Sequence, residues 1–173
     1  MGFFAKFPKI EYDRRTAVSI LTSVLPSRMN IDNSFIWQRH RIAEESPESL
    51  AYDLYRDANL YWVILVTNNI IDPFTDWPVP EDAFEEFVNK KYNNKPNEVH
   101  HYFDNRTDDI VDDFNEAKFR QMPNADLPYY IIPVTNYTHE KNLNDAKRDI
   151  LVVNPKYINE FLETYEKALQ GTL

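Results

Sequence analysis

Only two glycines occur in 173 residues, Gly2 and Gly171. Every connection between them is made without the residue that reaches left-handed backbone conformations most cheaply. Phosphate-cradling loops, dinucleotide-binding turns and nucleophile elbows each need internal glycines for close backbone approach, so none is available here. Eleven prolines do the turning instead. Connections of that kind are stiff, which suits a scaffold better than a gated active site. Cysteine is absent, which excludes disulfides, zinc–thiolate sites and cysteine nucleophiles.

The apolar fraction, 43%, is enough to pack a core, and the net charge of −9 would repel a phosphate backbone on average. Gln38-Arg39-His40-Arg41 is the only basic cluster, too small to reverse that, so nucleic acid is not an expected partner. The longest apolar run, Leu60 to Val66, is far short of the roughly 20 residues a membrane helix needs, and no membrane is expected either. MGFFAKFPKIEYD lacks the apolar stretch of a signal peptide, and Lys6 breaks the myristoylation pattern.

Along the chain, FPKIEYD alternates as a short extended piece, and AVSILTSVL (17 to 25) is apolar enough to bury as strand or helix. Together with the polar SRMNIDNS linker these make an arm, 1–34. FIWQRHRIA (35 to 43) places Ile36, Gln38, His40 and Ile42 on one face of a strand. Ser46-Pro47-Glu48 is a helix start, with Leu50, Ala51, Leu54, Tyr55 and Ala58 as its stripe. Leu60 to Asn69 is ambiguous between strand and helix. Asn59 as cap and Asn68-Asn69 as terminator favour a helix, which must then be buried on all sides. Pro80-Glu81-Asp82 opens a helix to about Tyr92, with acids in its first turn and Lys90-Lys91 in its last.

EVHHYF (98 to 103) is a short strand, so a compact unit is expected over 35–103, ordered strand, helix, helix, turn, helix, strand. Residues 104–148 are expected as an acidic irregular excursion. Within it PYYIIPV is an edge strand because Pro133 cannot donate to a ladder, and NYTHEKNLNDAK is polar loop. A terminal strand, RDILVV, and a helix opened by Asn154-Pro155 and stopped by Gly171 occupy 149–173.

The ionisable residues point to no chemistry. Asp108, Asp109, Asp112 and Asp113 lack the glycine and spacing of a calcium loop and read as a solvated face. His100 and His101 are adjacent, so in a regular strand they point to opposite faces and do not chelate together; His40 and His139 add nothing by spacing. Asp72 and Asp76, beside Pro73 and Trp77-Pro78, fit turn capping better than acid/base work. No catalytic residue, cofactor or metal is therefore assigned, and the chain is not expected to be an enzyme.

The aromatics carry more. Tyr61, Trp62, Phe74 and Trp77 crowd one region with Asp72 and Pro73. They fit either an ordinary core or a core that continues into a partner. The terminal strand (Ile150, Val152) and the final helix (Ile158, Phe161, Tyr165, Leu169) also carry apolar faces. A unit spanning 35–103 cannot cover them, so they are expected to meet partners too.

YRDANLYWVILVTNNIIDPFTDWP resembles the central signature of the baseplate wedge protein 53 family of contractile-tailed bacteriophages. FPKIEYD near the start and RDILVVNPKYINEFLETYEKAL near the end resemble two further stretches of that family, in the same order. The resemblance implies an α+β fold with a small LysM-like core of two helices on a sheet. It also implies a structural subunit of the virion, located in the tail baseplate and assembled in the host cytoplasm, that clamps neighbouring wedge proteins. Implied partners are wedge scaffold and sheath-initiator type subunits, and further copies of the chain around the baseplate ring. LysM modules elsewhere bind peptidoglycan or related glycans, usually through a glycine-containing turn after the first strand. AEESPES stands in that place with no glycine, which favours the clamp over the alternative, a glycan-binding module.

Overall fold

Without internal glycine, other residues must take the left-handed positions, and they do: Arg56, Asn69, Asn93, Asn94 and Asp108 all have positive φ. Asn and Asp tolerate this region best among side-chain-bearing residues, which places most of these turns at sequence positions suited to them. The computed structural model describes residues 9–12, 15–18 and 36–170. The 17–25 stretch beyond Val18, the linker before Ile36 and the stop at Gly171 lie outside the described residues. The chain is an α+β protein with several small antiparallel sheets. It divides into two compact units, one made of residues 1–78 and 147–173, the other of 79–146.

In the first unit, β1 (Lys9–Tyr12) and β2 (Arg15–Val18) form an antiparallel pair. Strand β3 (Trp37–Arg41) leads to helix α1 (Pro47–Tyr55), a 3-10 turn at Ala58–Leu60, helix α2 (Tyr61–Thr67) and the short helix α3 (Pro73–Asp76). Ser46 caps α1 by accepting from the Ser49 amide at 3.2 Å, and Pro47 sits in the first turn, as the sequence requires. Within the run Leu60–Asn69 the helix covers Tyr61–Thr67, with Leu60 rather than Asn59 at the cap position, while Asp57 caps the preceding 3-10 turn.

Chain order alone hides the partner of β3. It is β7 (Asp149–Val153), antiparallel, in register from Trp37↔Val153 to Arg41↔Asp149. The expected 35–103 unit, with 149–173 apart from it, is thus replaced by a unit that leaves the chain at Pro78 and returns at Lys147. The far edge of β7 is occupied as well. The Asn68 side chain donates to the Leu151 carbonyl at 2.7 Å and accepts from the Leu151 amide at 2.8 Å, so an amide side chain stands in for a neighbouring strand. The terminal strand, expected to pair with or pack beside a partner, thus has its backbone pairing met within the chain by β3 and Asn68.

Helix α2 is apolar all round because it is packed on two sides. Trp62 and Val63 join Ile36, Val153 and the Phe161-Tyr165-Leu169 stripe of helix α7 (Ile158–Leu169); Ile64 and Leu65 join Ile42, Leu50, Ala51, Trp77, Ile150 and Val152. Trp62 lies against Tyr165 with ring centroids 5.1 Å apart, and Trp37 meets Phe161 edge-on at 6.1 Å. The Tyr55 hydroxyl donates to the Val153 carbonyl at 3.1 Å. Burial pushes that phenol up to about 12, against the opposing pull of the hydrogen bond.

The second unit contains α4 (Glu81–Lys91), β4 (Val99–Asp104), β5 (Asp109–Ile110), α5 (Asp113–Phe119), β6 (Ile131–Thr135) and α6 (Asn136–Ala146). Its sheet runs β5-β4-β6, which leaves Pro133 on an edge strand as its missing N–H demands. The expected irregular excursion 104–148 is therefore structured, and NYTHEKNLNDAK is a helix rather than a polar loop.

Helix α6 escaped a hydrophobic-periodicity reading because the face it buries is polar: Asn136, Glu140 and Asn144, four residues apart. Asn136 donates to the Lys95 carbonyl at 2.8 Å. Asn144 accepts from the Val79 amide at 2.7 Å and donates to the Val79 carbonyl at 2.9 Å. Glu140 accepts from Lys91 Nζ at 2.9 Å and from the Tyr92 hydroxyl at 2.7 Å. The acids of DDIVDD serve local structure: Asp112 caps α5 through the Asn115 amide at 2.9 Å, and Asp108 takes a left-handed turn.

Candidate interface surfaces

The twelve residues singled out for contacts fall into two groups. Trp62, Trp77, Ile150, Val152, Phe161, Tyr165 and Leu169 are buried in the first unit's own core, and Phe161 has no exposed surface at all. That placement corrects the expectation that the α7 stripe and the terminal strand meet partners: strand and helix had a core to join once β7 paired with β3. Tyr61 and Ile158 are half-buried against the same core clusters. Asp72, Pro73 and Phe74 remain at the corner between α2 and Trp77.

That corner is rigid for identifiable reasons. Asn69, at φ 55°, reverses the chain after α2, and the Ile70 amide returns to the Leu65 carbonyl at 2.9 Å. Ile70 packs against the core. Asp72 is extended, as a residue before proline prefers, and its carboxylate accepts from the Phe74 amide at 3.0 Å to start α3. The Asp76 carboxylate turns back to accept from the amides of Asp72 at 3.1 Å and Ile71 at 3.3 Å. The Asp72 amide first, then the Ile71 amide, Thr75 and the Lys147 charge, hold the Asp76 carboxyl below the usual carboxylate range despite the opposing effect of desolvation. Lys147 Nζ donates to the Thr75 carbonyl at 2.6 Å, and the Trp77 indole donates to the Glu45 carbonyl at 3.0 Å.

The backbone is pinned at both ends, yet its two large apolar side chains point outward: Ile71 is 92% exposed and Phe74 95%. Scattered exposed apolar residues are ordinary on a protein surface. Two on one short turn, held by caps and a buried tryptophan, form a preorganised apolar knob that needs little further ordering to bind. Ile71 was within the sequence signature but not among the expected contacts; the dense apolar run around it gave no sign of which residues face out.

The second unit has an exposed apolar set of its own, in Ile110, Phe114 and Tyr129. Ile110 borders a groove of about 430 Å³ whose other walls include Asp104, Arg106, Asp112, Lys118 and Tyr130. Arg106 lies over the Tyr130 ring at 3.4 Å and donates to the Asp104 carboxylate at 2.7 and 3.1 Å, which lowers the pKa of that carboxyl to about 2. In the basic cluster on β3, Arg41 pairs with Asp149 at 2.7 Å, and His40 lies 3.3 Å from Glu45.

Together these features define an α+β subunit that presents apolar side chains on stiff turns. The chain belongs to the base plate wedge protein 53 family of phages, whose model matches residues 3–168. Its role is structural, in the tail baseplate of the virion among other baseplate components, and the family is not a known enzyme family. No curated protein matches the chain.

Proposed function

We propose that this subunit clamps neighbouring wedge proteins together, and that the Ile71–Phe74 knob is an anchor of the clamp. The knob carries the reading: two large apolar side chains, almost fully exposed, on a turn tied down by Asp72, Asp76, Lys147 and Trp77. Such an anchor fits an apolar pocket on wedge scaffold or sheath-initiator type subunits, or on a further copy of the chain around the ring, during assembly in the host cytoplasm. The order strand, helix, helix, strand of β3, α1, α2 and β7 supports a LysM-like core reused for protein contacts.

The glycan-binding alternative needs exposed aromatics lining a groove. Trp77, the aromatic it would depend on most, is buried in the core, so no binding of chitin or peptidoglycan fragments is expected in calorimetry. The clamp is tested by supplying Ile71→Asp or Phe74→Asp protein to cells infected with phage lacking the subunit. Folded protein that no longer enters baseplates supports the anchor; normal incorporation of both variants refutes it.

A further inference from the structure

We propose that His100, His101 and His139 in the second unit form a binding site for a zinc-type divalent transition-metal ion, which ties strand β4 to helix α6. The inference is independent of the clamp and concerns a different unit.

Adjacent histidines on a regular strand face opposite ways. Here the register of β4 against β6 shifts between Val99 and His101, and a local irregularity of this kind re-aims side chains. The two rings consequently meet, with His100 Nδ1 and His101 Nδ1 2.9 Å apart. Arg120, ion-paired with Glu116, donates to the carbonyls of Val99 and His100 at 3.2 Å each and fixes the backbone at that point. His139, in the first turns of α6, stacks on His100 with ring centroids 3.9 Å apart and planes 10° from parallel. One nitrogen from each of the three rings lies within 4.8 Å of the others.

Nitrogens bound to zinc at about 2.0–2.1 Å in a tetrahedron sit roughly 3.3–3.4 Å from one another. The ligand set is therefore close to chelating spacing. Parallel rings cannot both aim lone pairs at one ion, so binding requires His139 to rotate off His100. Nε2 of His139 lies 3.9 Å from the Glu140 carboxylate, too far for a hydrogen bond. Glu140 itself is engaged by Lys91 and Tyr92, so the fourth position falls to solvent.

Three imidazole nitrogens select zinc, copper, nickel or cobalt over calcium and magnesium, which require oxygen ligands. The second unit also has a reason to need a staple. Its sheet-side apolar cluster is Tyr102, Phe119 and Ile131, and the chain has no cysteine to close a disulfide. Small units with small cores are commonly held by a metal.

The test uses untagged, chelator-treated, full-length protein titrated with Zn²⁺ and with Co²⁺. Expected are uptake of one ion per chain, a visible cobalt absorption band, and a rise of roughly 5–10 °C in the second unit's melting transition at saturating zinc. His139→Ala and His139→Gln, each checked for native circular dichroism, should weaken zinc binding at least about tenfold. His40→Ala, in the first unit, should leave it unchanged. No saturable uptake below about 1 mM zinc, a range far weaker than any structural site, overturns the proposal. So does a folded His139 variant that binds as tightly as the parent.

Discussion

The two units solve the same problem with different materials. In the first, α2 is wrapped on both sides by apolar side chains from β3, α1, β7 and α7. In the second, the buried apolar side chains are Phe84, Val88, Tyr102, Phe119 and Ile131, and all three buried polar residues, Asn136, Glu140 and Asn144, lie on α6. Apolar burial is non-directional and tolerates small shifts. A buried polar face works only while every partner is in place, since each unpaired group costs its full desolvation. The first unit should therefore be the more robust framework. The second should be the more easily disrupted by a single polar change.

The largest expected effect is in the first unit. Phe161→Ala removes a fully buried ring stacked on Tyr165 and edge-on to Trp37, and should cost about 3–5 kcal/mol in denaturant unfolding. Ile64→Ala, from the other core cluster, should cost about 2–5 kcal/mol. A loss under about 1 kcal/mol in either, in the range of ordinary surface changes, would show that the core has been misplaced.

Next comes Glu140→Ala, which takes the acceptor from the Tyr92 hydroxyl and the ion-pair partner from the half-exposed Lys91, and should cost about 1–3 kcal/mol. Native-state hydrogen exchange should localise that loss to residues 79–146 while the amides of α2 and β7 keep their protection. Equal loss in both units would erase the contrast between them.

The smallest effect is that of acid on the corner. The Asp76 carboxyl is depressed in the folded protein, so its contribution is present above the unfolded value, about 3.9, and is lost as pH falls through the folded one. The amides of Ile71 and Asp72 should lose protection below about pH 4, and Asp76→Asn should remove most of that dependence. Protection that does not change with acid would mean the carboxylate is not what fixes the turn.

How much of this was legible in the sequence follows the same division. Helices α1, α4 and α7 announce themselves by capping residues and apolar stripes, and the all-apolar run of α2 correctly required burial on every side. The partner of β3 was not legible, because pairing across more than a hundred residues leaves no local signal and an adjacent strand, EVHHYF, offered a shorter closure. That one pairing carried the largest errors with it: the unit boundary, and the assignment of Ile150, Val152, Phe161, Tyr165 and Leu169 to an interface. Helix α6 was hidden by its polar buried face, and the His100–His101–His139 cluster by a register shift that alternation cannot anticipate. The corner was half legible. Asp72, Pro73, Asp76 and Trp77 read correctly as a stiff turn, whereas the outward direction of Ile71 and Phe74 depends on which neighbours the core has already used.

The central claim is that this subunit folds through α7 and binds through the Ile71–Phe74 knob. It is tested most directly by measuring how much Phe74→Asp protein enters baseplates, relative to the parent, after confirming that the variant's melting temperature is unchanged. At 95% exposure the substitution should leave stability within about 0.5 kcal/mol of the parent, and incorporation should fall to background. Incorporation at the parent level by a normally folded Phe74→Asp subunit would contradict the account.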